Sequence, residues 1–396
     1  MLERPVSKAG WTRVAFGDVV RLSKARVADP EAAGIERVVG LEHIEPGDLR
    51  IRRWGDVADG TTFTTLFKPG QVLFGKRRAY QRKVAMADFA GVCSGDIYVL
   101  EPANDRLMPE LLPFLCQTDA FFDHAVGTSA GSLSPRTNWT SLASFEFLLP
   151  PIQEQARLVE VMSAGRSATE ATANLLSRLR ELRASVVLAV TGGDGSDGVE
   201  LVRLGEVSNV VRGSTPRPAG DPRYFGGDHI PWITVGEITK DDGVYLESTE
   251  AKLTELGASF SRQIPSGTVI LSNSGWTLGV PKILRITGCA NDGVAAFLDL
   301  DPRVDPLFLY FRLFGMTEYL RNVIAAGGDQ PNLNTDLISK LTIPLLTLEQ
   351  QAEAVTQVNA VQAEIDKAKL RLTAQQDLYR SLAGTALVSR ELQDGL

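Results

Sequence analysis

Two runs of about forty residues each constrain this chain more than anything else in it. In the first, apolar or small residues recur at alternating steps of four and three: Thr172, Leu175, Leu179, Leu182, Val186 and Ala189. That spacing is the a/d seam of a coiled coil, and it puts Arg178, Arg180, Glu181 and Arg183 on the wet faces. The run opens at Pro150-Pro151-Ile152-Gln153-Glu154-Gln155, and prolines suit a helix start because the first turn has no intrahelical use for the missing N–H. It closes in a Gly/Asp-rich stretch, 191–198, that no helix survives. A second run opens at Thr347-Leu348-Glu349-Gln350-Gln351 and reaches about Arg390. Its seam is Val358, Val361, Ile365, Ala368, Leu372, Gln375, Tyr379 and Leu382. Thr347 and Gln350 stand at capping-box spacing.

The two runs are copies. A shift of 196 places Ile152 on Leu348, Gln155 on Gln351, Ala156 on Ala352, Val159 on Val355 and Ser185 on Ser381. The segments before them repeat too. Gly17 falls on Gly205 at a shift of 188, and 69–74 falls on 266–271 at 197. Pro109 falls on Pro306, and Pro135 and Asn138 fall on Pro331 and Asn334. A shift that drifts so little implies one duplication with small insertions.

Within each half, short β-rich runs (72–74, 95–100, 269–272) are broken by Gly and Pro, and a short apolar helix follows (111–122; 306–314). Residues 11–20 and 200–207 each read as a strand entering a turn or short helix. The expected fold class is mixed α/β: two tandem globules, each followed by a long helix, the helices pairing as an antiparallel coiled coil. The boundaries are 1–149, a helix over 150–191, a Gly/Asp linker over 192–199, a second globule over 200–345 and a second helix over 346–396. Forty helical residues span roughly 60 Å, so the pair predicts a rod with a globule at either end.

Composition narrows the function. A chain of 396 residues, 44% hydrophobic, can bury two ordinary cores. A net charge of −7 with a pI near 5.3 excludes a generally basic nucleic-acid binder, so any such role rests on local patches. Three cysteines without CxxC spacing argue for a reducing compartment and against a zinc ribbon. No signal-like start and no membrane-length apolar run are present, which predicts a cytoplasmic protein.

Catalytic motifs are missing. Residues 70–77 approach the phosphate-loop pattern, but Arg77 stands where the magnesium-binding Ser/Thr belongs and Val72-Leu73-Phe74 reads as strand. Glu250-Ala251-Lys252 with Asp241 or Asp242 upstream reads as an exposed charged turn more readily than a nuclease motif. His43, His124 and His229 are too scattered for a metal site. Neither a catalytic nor a metal constellation is expected.

What remains are patches. Lys76-Arg77-Arg78-Ala79-Tyr80-Gln81-Arg82-Lys83 puts five cations around an aromatic directly after a strand. Such a loop reaches DNA phosphates and base edges, where Arg chelates guanine. At the same place in the second half stands the polar, Gly-rich stretch 272–282, with Asn273, Trp276 and Lys282. One scaffold with two different loops suggests that two different things are read. Arg136 and Asn138, then Asn332 and Asn334, precede the long helices near Gly-rich turns (127–131; 327–328) as either DNA contacts or helix caps.

These residues carry a resemblance. Gly213-Ser214-Thr215-Pro216, then 224–238 with Ile230-Pro231-Trp232, together with 149–155, are similar to the DNA-specificity subunit of type I restriction-modification systems along nearly the whole chain. The first half departs from the pattern in lacking the Thr-Pro and Ile-Pro-Trp elements, and the second helix opens with Leu346-Thr347-Leu348 instead of Pro-Pro-Ile. The resemblance implies a non-catalytic subunit whose two target-recognition domains each read half of a bipartite double-stranded DNA target. It implies docking of two methyltransferase subunits and a restriction/translocase subunit. It also implies that S-adenosylmethionine, ATP and Mg belong to those partners, with no cofactor in this chain. The rival readings are a self-contained enzyme with a DNA-recognition tail and a coiled-coil scaffold whose globules bind protein.

Overall fold

The duplicated sequence folds into duplicated sheets. A computed structural model describes residues 10–192, 198–324 and 332–387, and the chain divides into two compact units. One comprises residues 1–173 and 370–396, the other residues 174–369. Each unit thus holds one globule together with part of both long helices, Ile152–Thr191 and Leu348–Leu387.

In each globule the first strand pairs antiparallel with the last, Thr12–Ala15 with Glu146–Leu149 and Leu201–Arg203 with Thr342–Pro344. The first unit then forms a four-stranded sheet in the order Val20–Leu22, Ile97–Pro102, Val72–Gly75, Val84–Met86. The second repeats it as Asn209–Arg212, Val294–Leu298, Val269–Ser272, Pro281–Leu284, with Tyr245–Leu246 added at the edge. A further sheet, Gly55–Asp56, Arg37–Val39, Gly91–Cys93, Thr65–Phe67, returns as Lys252–Leu253, Phe225–Ile233, Gly288–Ala290, Gln263–Ile264. Every residue of Val72–Gly75 and of Val269–Ser272 is buried. That is why both read as continuous apolar runs with no alternation.

The matching glycines have a steric reason. Each short helix after a first strand, Phe16–Val19 or Leu204–Val207, lies against a second one, Trp139–Ala143 or Thr335–Lys340. A Cβ on Gly17 would stand 2.9 Å from Ala143 Cβ, and one on Gly205 would stand 3.0 Å from Ser339 Cβ. A side chain at Gly17 would force a shift and one at Gly205 would be tight, so the close approach favours glycine at both. The apolar helix expected over 111–122 is two helices, Leu112–Cys116 and Asp119–Gly127. Thr118 intervenes as an N-cap, its hydroxyl accepting the Phe121 amide.

Each long helix is tied to its own globule by a buried glutamine. Gln155 accepts the Met108 amide at 2.8 Å and donates to the carbonyls of Arg106 at 2.7 Å and Pro150 at 2.8 Å. Gln351 accepts the Asp305 amide at 2.7 Å and donates to those of Arg303 at 2.7 Å and Leu346 at 2.8 Å. The expected capping box is present, with Thr347 N–H donating to Gln350 and Gln350 N–H to the Thr347 hydroxyl.

The helices pair antiparallel. In the second unit Arg180 and Lys369 share Asp242, while Arg183 donates to Gln362 at 2.5 Å, so one number falls as the other rises. In the first unit a Cβ on Gly165 would meet the Tyr379 ring at 3.3 Å. The seam of the first helix differs from the heptad reading. Thr172 is buried, but Leu175 and Leu182 are 47% and 49% exposed, and Ala189 is exposed. Leu176, Arg183, Val187 and Thr191 are buried in their place. The cause is a second neighbour. Here the helix packs on Pro306–Tyr319 as well as on its long partner. Arg183 lies over the Phe314 ring at 4.6 Å, and a Cβ on Gly315 would stand 3.0 Å from Val187. The buried stripe therefore turns toward the globule. On the second helix Val358, Ile365 and Ala368 are buried as the heptad predicts, but Leu382 is 37% exposed and Ala383 takes its place.

The linker residues 193–197 and the Gly-rich turn at 327–328 lie outside the described residues, as do 388–390. No helix among the described residues is long and apolar enough to cross a membrane. Val187→Asp buries an unpaired charge and costs about 3 kcal/mol or more, whereas Leu182→Asp on the exposed face costs under about 1 kcal/mol. Denaturant unfolding checks the contrast, and equal losses would restore the heptad seam.

Candidate nucleic-acid interface

The strand pairs Val72–Gly75/Val84–Met86 and Val269–Ser272/Pro281–Leu284 end in hairpin loops of the same length, 76–83 and 273–280. The backbones of the two loops match. Lys76 N–H donates to the Asp96 carbonyl and Asn273 N–H to that of Gly293. Thr137 N–H reaches the Lys76 carbonyl as Leu333 N–H reaches that of Asn273. Arg77 bridges to Arg136 as Ser274 bridges to Asn332. Each loop is therefore backed by the segment that leads into a short helix.

The first loop is a lattice of cations, each held differently. Asp96 joins Arg77, whose Nη1 donates at 3.2 Å, to Arg136, whose Nε donates at 2.9 Å. Arg77 Nε also donates to the Ser134 hydroxyl. Burial pushes the Asp96 carboxyl up, but hydrogen bonds from Arg136 and Arg77 outweigh it and hold the group below the ordinary aspartate range. Lys76 Nζ lies 4.7 Å from the centre of the Tyr98 ring, and Lys83 Nζ donates to the Leu41 carbonyl at 2.6 Å. Arg82 pairs with Asp119 and covers the Phe122 ring at 4.6 Å. Arg78 is half-buried and its Nε has no hydrogen-bond partner. Tyr80 stands 56% exposed at the tip.

The second loop exchanges charge for small neutral groups. Ser274, Gly293 and Asn332 occupy the places of Arg77, Asp96 and Arg136. Trp276 is 82% exposed. Asn273 is fully buried, and neither its amide oxygen nor its nitrogen has a hydrogen-bond partner. Lys282, expected on the DNA-facing surface, is 1% exposed. Its Nζ pairs with Asp241 at 2.5 Å and donates to the Gly243 carbonyl. The correction has a simple cause: the loop ends at Val280, and Pro281–Leu284 is a strand buried at every position. Asn138 and Asn334 are helix caps, accepting the amides of Ser141 and Leu337 at 2.8 Å.

Other candidate chemistry dissolves into structure. Val72–Gly75 is a strand where a phosphate loop would turn. Asp241 and Asp242 are committed to Lys282 and to Arg180 and Lys369. His43 accepts the Gly40 amide and His124 donates to the Ser141 carbonyl. Among the described residues no group of three or more His, Cys, Asp or Glu is placed to hold a metal. The cysteines are buried and free of disulfides, and burial pushes the Cys93 thiol up to about 12.

Two features went unread in the sequence. Arg50 and Arg52 both donate to Glu170 of the first long helix, at 3.0 and 2.9 Å. The Arg-rich run 50–53 was a visible signal for such a patch. Arg37 lies against both Trp54 and Phe89, 4.4 and 4.5 Å from the ring centres, which are themselves 5.2 Å apart. Nothing in the local sequence marks that contact.

Two copies of one mixed α/β unit, each lifting a differently decorated hairpin loop to its surface, make up a duplicated fold. Residues 196–374 match the model of the type I restriction modification DNA specificity domain. It is 28% identical over 160 residues to the type I restriction enzyme MjaIX specificity subunit of Methanocaldococcus jannaschii, 40% of this chain and 36% of that one. It is 30% identical over 132 residues to the EcoDI specificity subunit of Escherichia coli, 32% of this chain and 29% of that one. The aligned segments thus span about a third of those relatives. In fold it resembles a chain from a study of complex assembly and conformational transition of the type I R-M system. That likeness has a TM-score of 0.68 at 20% identity and covers 96% of this chain and 97% of the other.

The Asp96 lattice titrates. Its folded-state carboxyl lies below the ordinary value, so its contribution is complete above about pH 4 and fades as pH falls below that. Asp96→Asn is expected to be less stable than wild type at neutral pH, with the gap closing in acid. Chemical denaturation across pH 3–7 reads this, and a gap independent of pH would remove Asp96 from the lattice.

Proposed function

We propose that the chain is the sequence-specific DNA-binding subunit of a type I restriction-modification complex. Each unit reads one half of a bipartite target, and the chain recruits the methyltransferase and restriction subunits. The observation that carries this is the pair of matching hairpin loops with divergent side chains, in a chain whose residues 196–374 match the DNA specificity domain model. A shared backbone presents the loops alike, and different side chains give each its own preference.

In this reading Lys76, Arg77, Arg78, Tyr80, Arg82, Lys83 and Arg136 face DNA from the first unit. Trp276 and Asn332 do so from the second, with Asn273 beneath them. Asn138 and Asn334 serve the interface indirectly by capping the helices behind it. The chain itself performs no chemistry. S-adenosylmethionine, ATP and Mg are held by the partner subunits.

The scaffold reading, in which the globules bind protein, draws on exposed leucines such as Leu175, Leu182, Leu370 and Leu378. Those lie on the long helices, while Leu133, Leu256 and Phe260 are exposed on the globules, and either set serves equally well to dock partners in a DNA-reading complex. DNA binding therefore decides between the two.

The test uses the full-length chain with and without the products of neighbouring genes. Duplex binding is expected to weaken steeply with salt, log K falling by roughly 0.9 per phosphate neutralised for each unit of log salt. Adenine methylation is expected only when the neighbouring methyltransferase and S-adenosylmethionine are both added. Methylation by the chain alone, or no DNA binding at low salt, would contradict the proposal.

A further inference from the structure

The two loops share one more feature. Gly275 and Gly279 are left-handed, with φ of 78° and 85°, a conformation glycine adopts freely. The same loop positions in the first unit, the third and the seventh, are Arg78 and Arg82, with φ of 53° and 56°. The hairpin thus requires left-handed backbone at both places, and the first unit meets the requirement with arginines against their steric preference. An unfavourable backbone held in a surface loop persists where the side chain is needed.

Arg82 finds its compensation inside the protein, in the ion pair with Asp119 and the Phe122 ring beneath it. Arg77 and Arg136 are spent on Asp96, and Lys83 on a carbonyl. Arg78 differs from all of these. Its main chain is fixed by an N–H donated to the Pro135 carbonyl at 2.7 Å, yet its guanidinium makes no hydrogen bond among the described residues. Its buried Nε has no partner among the described residues, so the guanidinium is left without the acceptors that a planar fork takes.

We propose that Arg78 is the specificity-determining residue of the first unit, reading the O6/N7 edge of a guanine, while its basic neighbours position the loop. This rests on the DNA-reading function proposed above. A guanine edge fits better than a phosphate for two reasons. The planar fork of arginine matches the O6/N7 pair of guanine, and the left-handed site fixes the main chain from which it extends. The Asp96 carboxylate among the neighbouring cations also weakens the local field that a phosphate would seek.

The test is selection of bound duplexes from a randomised library, read by sequencing, with the full-length chain as wild type, Arg78→Gly and Arg78→Lys. Wild type is expected to require guanine at one position. Both variants should relax that position by about tenfold or more and leave the others unchanged. Lysine keeps the charge, so Arg78→Lys separates fork geometry from charge. Arg78→Gly should also keep or raise the thermal midpoint, because glycine suits the left-handed site. Three results would overturn the inference: undiminished selectivity in either variant, a loss spread evenly over all sequences, or a lowered midpoint in Arg78→Gly. A wild-type chain that selects no sequence would overturn the proposed function, and this inference with it.

Discussion

A buried primary amide joins each long helix to its globule, and the rest of the architecture follows from that junction. Gln155 and Gln351 each make three hydrogen bonds of 2.7 or 2.8 Å, two donated and one accepted. Both are fully buried. Glutamine suits the task because one side chain supplies both donors and an acceptor without a charge to desolvate. Loss of the amide strands buried backbone groups of two segments at once, at about 1–3 kcal/mol for each group left unpaired. The clamp fixes where the helix starts relative to the last strand of its globule and to the loop before the apolar helix. Packing of the seam then proceeds from a defined register.

Above that shared base the two units differ in the added edge strand Tyr245–Leu246 and, most of all, in their loop surfaces. Sheet order, strand register and the left-handed loop positions repeat, and the loop surfaces do not. A charged lattice of Arg77, Asp96 and Arg136 in one unit becomes Ser274, Gly293 and Asn332 in the other. The acidic overall charge is compatible with DNA binding for the same reason. Five cations are gathered in the first loop, 76–83, so that a local positive patch stands on an acidic chain.

Much of this was legible in the sequence because it is periodic or duplicated. Both long helices were visible within a few residues of their observed ends, and so were the strands at 72 and 269 and the glycine pair at 17 and 205. What escaped depends on neighbours that are distant in sequence. The seam of the first helix turned away from its heptads because Pro306–Tyr319 packs beside it. Lys282 read as a surface cation because nothing nearby announced that Asp241 would bury it. Asn138 and Asn334 were open between contact and cap, since a cap and a polar contact use the same residue types. The left-handed twins Arg78 and Gly275 show only in the folded chain, because an arginine gives no sign of its own φ.

The central claim is that two copies of one scaffold read independently through their loops. The most direct measurement is single-molecule sequencing of genomic methylation after residues 10–149 are exchanged for the corresponding unit of another family member. The account predicts that one half of the methylated sequence changes and the other half stays as it was. A methylated sequence that changed in both halves, or in neither, would contradict it.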